Sequence, residues 1–154
     1  QRNMKTQLRI LTLAAALCVG LFTANAAEKH DHAHKATPKG GRLLDKTEPH
    51  AEFVVEKDRT VTINFYSEEM KPVAATTQNV TVQADAKSGK AKLEFEKKGD
   101  SLVSKTALPE GDGYNVVVQF KQTTDAKPVN LRFKLDLATC GECKRAEYAC
   151  ICEH

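Results

Sequence analysis

The segment 130–137, Asn-Leu-Arg-Phe-Lys-Leu-Asp-Leu, alternates without a break. Leu131, Phe133, Leu135 and Leu137 fall on one side, and Asn130, Arg132, Lys134 and Asp136 on the other. A strand sends successive side chains to opposite faces, whereas a helix repeats about every 3.6 residues. The segment therefore predicts a strand with one dry face and one wet face.

The same rhythm recurs upstream. Tyr114, Val116, Val118 and Phe120 share a face in "YNVVVQF", as do Leu93 and Phe95 in "KLEFE". Val80, Val82 and Ala84 line one side of "NVTVQA", and Val61, Ile63 and Phe65 one side of "TVTINFY". Weaker candidates are "GRLL" at 41–44, "AEFVVE" at 51–56 and "SLVSKT" at 101–106. Between them lie "EKDR", "EEMKP", "AKSGK", "KKGD", "PEGDG" and "TDAKP", rich in the residues that set turn dihedrals. Short alternating runs separated by turns predict an all-β domain over residues 42–137. Seven or eight such strands fit an immunoglobulin-like antiparallel β-sandwich, with a small closed barrel as the alternative. At roughly 95 residues the sandwich is large enough to be expected to fold without its flanks.

The flanks are of a different kind. From Met4, Lys5 and Arg9 precede an apolar run, Ile10 to Phe22, and then "TANAA". This is the order of a secretory signal peptide, so residues 1–26 are expected to be removed after Ala26. The apolar run is shorter than the ~20 residues of a spanning helix. Cys18 lies within it and would be lost, leaving four cysteines. Export implies a bacterial periplasmic or secreted protein in an oxidising compartment.

Charge follows the same division. The chain has 23 basic and 20 acidic residues, and residues 1–26 contain Arg2, Lys5 and Arg9 but no acid, so the remainder is formally neutral. That argues against a nucleic-acid footprint and against a basic membrane-surface helix. Nor is a Ser-His-Asp set, an acid/base carboxylate pair or a phosphate loop identifiable, so no enzyme is expected.

Two stretches carry metal-ligand chemistry. Residues 138–154 form a Cys-rich tail in which Cys140, Cys143, Cys150, Cys152 and His154 read C-x2-C-x6-C-x-C-x-H. Thiolates and imidazole suit copper(I) or Zn²⁺, and close spacing brings ligands together at small entropic cost. Two disulfides are the competing reading, because exported cysteines commonly pair. A thioredoxin-type role for "CGEC" lacks the strand-then-helix setting that such a motif needs. Residues 27–41 hold almost no large apolar side chain and read as a flexible leader. Within it His30, His32 and His34 alternate in "HDHAH", a set able to wrap Cu(II), Zn²⁺ or Ni²⁺. A lone His50 reads as a surface residue more readily than as a ligand.

The stretch "GGRLLDKTEPHAEFVVEKDRTVTINFY", residues 40–66, resembles small periplasmic sandwich domains associated with bacterial heavy-metal efflux, and the likeness extends from Gly40 to about Leu137. The likeness lies in the Gly-Gly start, a His before a Glu-Phe strand, and a following V-T-x-x-F-Y strand. The long helical hairpin of the pump adaptors has no counterpart here. The end, "EYACICEH", is similar to the Y-x-C-P-M-H element of heavy-metal-binding domains. Tyr148 and Cys150 match by position, Cys152 takes the Met place, Ile151 replaces Pro, and Glu153 sets His154 one residue late. The resemblance implies an exported protein that captures or buffers a soft metal, copper first and zinc second, beside an efflux or other envelope partner. A disulfide-stapled interaction module with no metal role is the alternative.

Overall fold

A computed structural model describes residues 35–152. They are all-β: β1 Arg42–Leu44, β2 His50–Val55, β3 Val61–Tyr66, β4 Pro72–Val73, β5 Asn79–Ala86, β6 Gly89–Lys98, β7 Ser101–Ser104, β8 Tyr114–Lys121 and β9 Val129–Leu135. A single 3-10 turn, Glu147–Ala149, follows. No helix among the described residues is long and apolar enough to cross a membrane.

Nine strands replace the expected seven or eight. The extra one, β4, is two residues long and pairs with β3. All pairings are antiparallel, in the continuous order β1-β2-β3-β7-β6-β5-β8-β9. The long β6 joins two halves. Gly89 to Glu94 pair with β5, and Phe95 to Lys98 pair with β7.

The inner faces of the two halves meet. Phe53 of β2 lies edge-on to Phe133 of β9 at 5.2 Å between centroids, and Phe65 of β3 meets Phe120 of β8 at 6.3 Å. Val61, Ile63, Phe65, Val80, Val82, Ala84, Leu93, Val116, Val118 and Leu135 are all buried, so the period-two faces of the sequence form the core. Burial of each such side chain is worth about 1.5–3 kcal/mol relative to exposure.

β2 departs from simple alternation. Ala51 and Phe53 face the core, yet Glu52 between them is also fully buried. Residues 37–41 cover it. The N–H groups of Gly41 and Lys39 donate to Glu52 Oε1 at 2.7 and 3.1 Å, and the Tyr66 hydroxyl donates to Oε2 at 2.6 Å. A buried carboxylate is tolerable only when its oxygens are satisfied in this way. Gly41 is required at the close approach, because a Cβ there would lie 2.3 Å from the Phe53 carbonyl oxygen. The end of the sequence's flexible leader is thus hydrogen-bonded onto the sheet.

The tail is not a free arm: residues 138–152 pack against the strands. Tyr148 is only 5% exposed and stacks on Phe133 at 6.4 Å, edge-on to Phe53 at 6.0 Å. Its hydroxyl accepts the Val55 N–H at 3.1 Å. Arg42 of β1 lies over the Phe133 ring at 4.8 Å and donates to the Tyr148 carbonyl at 3.0 Å. The segment therefore bridges the terminal strands of the order, β1 and β9.

Candidate metal centre

The chain leaves β9 and is led back along it. Tyr148 N–H donates to the Asp136 carbonyl at 2.9 Å, and Glu147 N–H to the Ala138 carbonyl at 2.8 Å. Thr139 and Ala146 form a single antiparallel bridge. Between them, residues 140–145 fold into a tight turn. Cys140 N–H donates to the Arg145 carbonyl at 2.7 Å, and Lys144 N–H to the Cys140 carbonyl at 3.2 Å. Lys144 adopts φ +61°, a left-handed conformation uncommon for a side-chain-bearing residue. This turn is not a helix start, so "CGEC" lacks its thioredoxin-type setting.

The turn and the segment after Ala149 converge on one point. Sγ of Cys140 lies 3.4 Å from that of Cys150 and 3.9 Å from that of Cys152, and Cys143 Sγ lies 3.7 Å from Cys150 Sγ. All four sulfurs lie within 4.8 Å of one another. With a metal–sulfur bond near 2.3 Å, a regular tetrahedron has sulfur–sulfur edges of about 3.8 Å. The separations quoted bracket that value and exceed the ~2.05 Å of a disulfide. Cys140 and Cys150 are buried at 1% and 8% exposure, while Cys143 and Cys152 are half-buried. The cluster therefore has a protein-facing side and a side open to solvent.

Backbone donors point at the sulfurs. N–H groups of Ile151 and Arg145 face Cys143 and hold its pKa down to about 6. Hydrogen bonds to a charged form favour that form. Cys152 N–H donates to Cys150 Sγ at 3.4 Å, which favours the Cys150 thiolate; burial and the neighbouring Cys140 and Cys143 thiols outweigh it and raise that pKa. Burial, then the Cys150 and Cys143 thiols, raises the pKa of Cys152. Without a cation the arrangement favours the Cys143 thiolate and disfavours those of Cys150 and Cys152. Four thiolates together need positive charge at their centre. Such a set could hold a metal ion.

Of the ligands expected from sequence, Cys140, Cys143, Cys150 and Cys152 come together. His30, His32, His34 and His154 lie outside the described residues. His50, half-buried on β2, joins no candidate metal group among the described residues, and its buried Nδ1 has no hydrogen-bond partner. The spacing did not reveal the residues that support the site. Arg145 donates to the Thr37 hydroxyl and carbonyl at 3.3 and 3.4 Å, tying the cysteine turn to the segment that covers Glu52. Tyr148, placed by resemblance in a metal-binding element, is the anchor of the tail. Its sequence signal was slight: an aromatic flanked by cysteines and charges.

No family model, curated protein or solved structure matches the chain.

Proposed function

We propose that this chain is an exported β-sandwich protein that captures one soft or borderline metal ion on its C-terminal thiolates, as an accessory to metal efflux or resistance. The convergence of four sulfurs at nearly tetrahedral separations carries the reading. Zinc is the preferred ion. A closed four-sulfur tetrahedron suits Zn²⁺, which moves copper, first on sequence grounds, to second place. The periplasmic setting rests on the signal-like segment 1–26, and the efflux context on the resemblance of residues 40–66. An immunoglobulin-like sandwich is supported by the strand order. Lettering β2, β3, β5, β6, β7, β8 and β9 as A to G gives A-B-E-D and C-F-G, the two sheets of that fold.

A specific observation favours a second role for the same ion. The cysteine turn is tied to β1, β2 and β9 through Tyr148 and Arg42, so the ion would also brace the sandwich. The two roles differ in exchange. A cargo ion should pass to a competing chelator within minutes, and a bracing ion only as the protein unfolds.

The test is metal content with thiol count on protein purified from its native compartment. One equivalent of zinc or copper with reduced cysteines is expected, abolished in a Cys140→Ser/Cys150→Ser variant. Absence of metal, with an intact mass four hydrogens below the reduced chain, would replace the site with two disulfides.

A further inference from the structure

The outer face of the half containing β5, β6, β8 and β9 carries a second ordered array. Register places it in two rows across four strands. One row is Lys92, Gln83, Val117 and Arg132; the other is Lys90, Asp85, Asn115 and Lys134. Seven of the eight are exposed, and Val117 is half-buried. They line a concavity of about 650 Å³. Small-molecule clefts fall within roughly 300–1,000 Å³.

The chemistry of the rows is segregated. Cations occupy the two outer columns, on β6 and β9. Amides and one carboxylate, Gln83, Asn115 and Asp85, occupy the middle columns on β5 and β8. The face is thus net positive, although the chain beyond residue 26 is formally neutral. Among the described residues Lys90, Arg132 and Lys134 make no ion pair, and Lys92 has only Glu94, at 3.9 Å. The outer columns lie three strand spacings apart, about 14 Å at the backbone. Lysine and arginine arms of roughly 6 Å can reach inward from both sides over the central amides.

We infer that this face binds a small hydroxylated polyanion, a sugar acid or sugar phosphate with acidic groups toward both edges. The paired cationic columns match two anionic groups. Arg132 adds a planar fork suited to carboxylate or phosphate. The central column disfavours a purely anionic ligand, since Asp85 would repel it. Gln83, Asn115 and Asp85 instead accept hydrogen bonds from hydroxyls, which a polyol supplies. No aromatic side chain belongs to either row, so recognition rests on charge and hydrogen bonding, not on ring stacking. The floor is firm where it matters: Phe133, between Arg132 and Lys134, packs on the opposite face against Phe53 and Tyr148. None of the eight residues belongs to the cysteine cluster.

The test is amide NMR titration of the full chain with fructose bisphosphate, with digalacturonate in a parallel arm and inorganic phosphate and neutral fructose as references. Saturable shifts at Gln83, Lys92, Asn115 and Arg132 are expected. Affinity should fall about tenfold or more in Lys92→Gln/Arg132→Gln, a difference well within what such a titration resolves. Unchanged amide dispersion in that variant shows that the fold is intact; Lys92→Gln alone serves if the pair misfolds. Stronger binding of the bisphosphate assigns a sugar phosphate, and stronger binding of digalacturonate assigns a sugar acid. If neither exceeds inorganic phosphate, or if the variants bind equally well, the inference is overturned.

Discussion

Strand β8 and the cysteine tail each bury four residues, but the neighbours that hold them differ. β8 buries Tyr114, Val116, Val118 and Phe120 while pairing along its length with β5 and β9. The tail buries Cys140, Tyr148, Ala149 and Cys150 with one isolated bridge. In β8, apolar burial and a two-sided ladder agree, and each would favour the strand alone. In the tail, one aromatic ring, a few backbone hydrogen bonds and four sulfurs must do the same work. Two of the four buried side chains, Cys140 and Cys150, belong to the candidate metal group. The order of the tail is therefore tied to whatever occupies its sulfurs, and the order of β8 is not.

Removing the ion gives the largest expected break in that comparison. A ligand held a hundredfold above its dissociation constant contributes about 2.7 kcal/mol to the state that binds it. Chelation under reducing conditions should speed amide exchange at Cys140, Tyr148 and Cys150 by roughly a hundredfold. Exchange in β8 should scarcely change. Equal acceleration in β8 would mean that the tail and the strands open as one unit, and that difference between them would vanish.

Tyr148→Ala tests the other half of the tail's support. It removes a buried ring packed against both Phe53 and Phe133, and with it the acceptor of the Val55 N–H. Large-to-small changes at buried aromatics cost about 3–5 kcal/mol. Denaturant unfolding should show a loss in that range, together with weaker metal retention. A loss below about 1 kcal/mol, typical of an exposed position, would show that the sulfurs hold the tail without the ring.

The same contrast explains what the sequence could convey. Strands such as β3, β5, β8 and β9 were legible because each repeats with period two over at least six residues, and one wet face fixes the phase. β4, only Pro72 and Val73, is too short to show a period. The burial of Glu52 was not legible in the weak candidate at 51–56, since it depends on cover by residues 37–41, outside that stretch. Tyr148 has no periodic partner, so its docking between β1 and β9 could not be read locally. The four cysteines were legible as a set from their spacing. Their relative positions were not, because spacing allows both a tetrahedron of sulfurs and a pair of bridges.

Glu52 offers a smaller test among the strands. Glu52→Ala would leave the Lys39 and Gly41 N–H groups and the Tyr66 hydroxyl without their acceptor. Stranded buried donors cost about 1–3 kcal/mol, and thermal unfolding should register that. The linkage with pH has a definite sign. Burial, then the hydrogen bond and charge of Glu52, raises the Tyr66 pKa above its ordinary value of 10.0. Its contribution is complete below about pH 10 and is lost as pH rises beyond it. Wild-type protein should therefore lose stability in strong alkali through this group, and Tyr66→Phe should lack that component.

The smallest effect distinguishes the tail's cysteines from one another. In metal-free, reduced protein, Cys143 has a pKa lowered to about 6 by the Ile151 and Arg145 N–H groups, whereas those of Cys150 and Cys152 are raised. Only the thiolate is alkylated readily. Alkylation mapped by mass spectrometry should label Cys143 first, with a rate that falls as pH drops through about 6. A lowered pKa also means that this group supports the folded tail most fully above the ordinary thiol value of 9.0 and loses that support as pH falls through about 6. Bound metal should erase the preference by holding all four sulfurs as thiolates shielded from the reagent. Equal labelling of Cys143 and Cys152 in the metal-free protein would mean that the turn at residues 140–145 does not persist without its ion. The tail would then be ordered by the metal alone, with Tyr148 docking only after the sulfurs have closed.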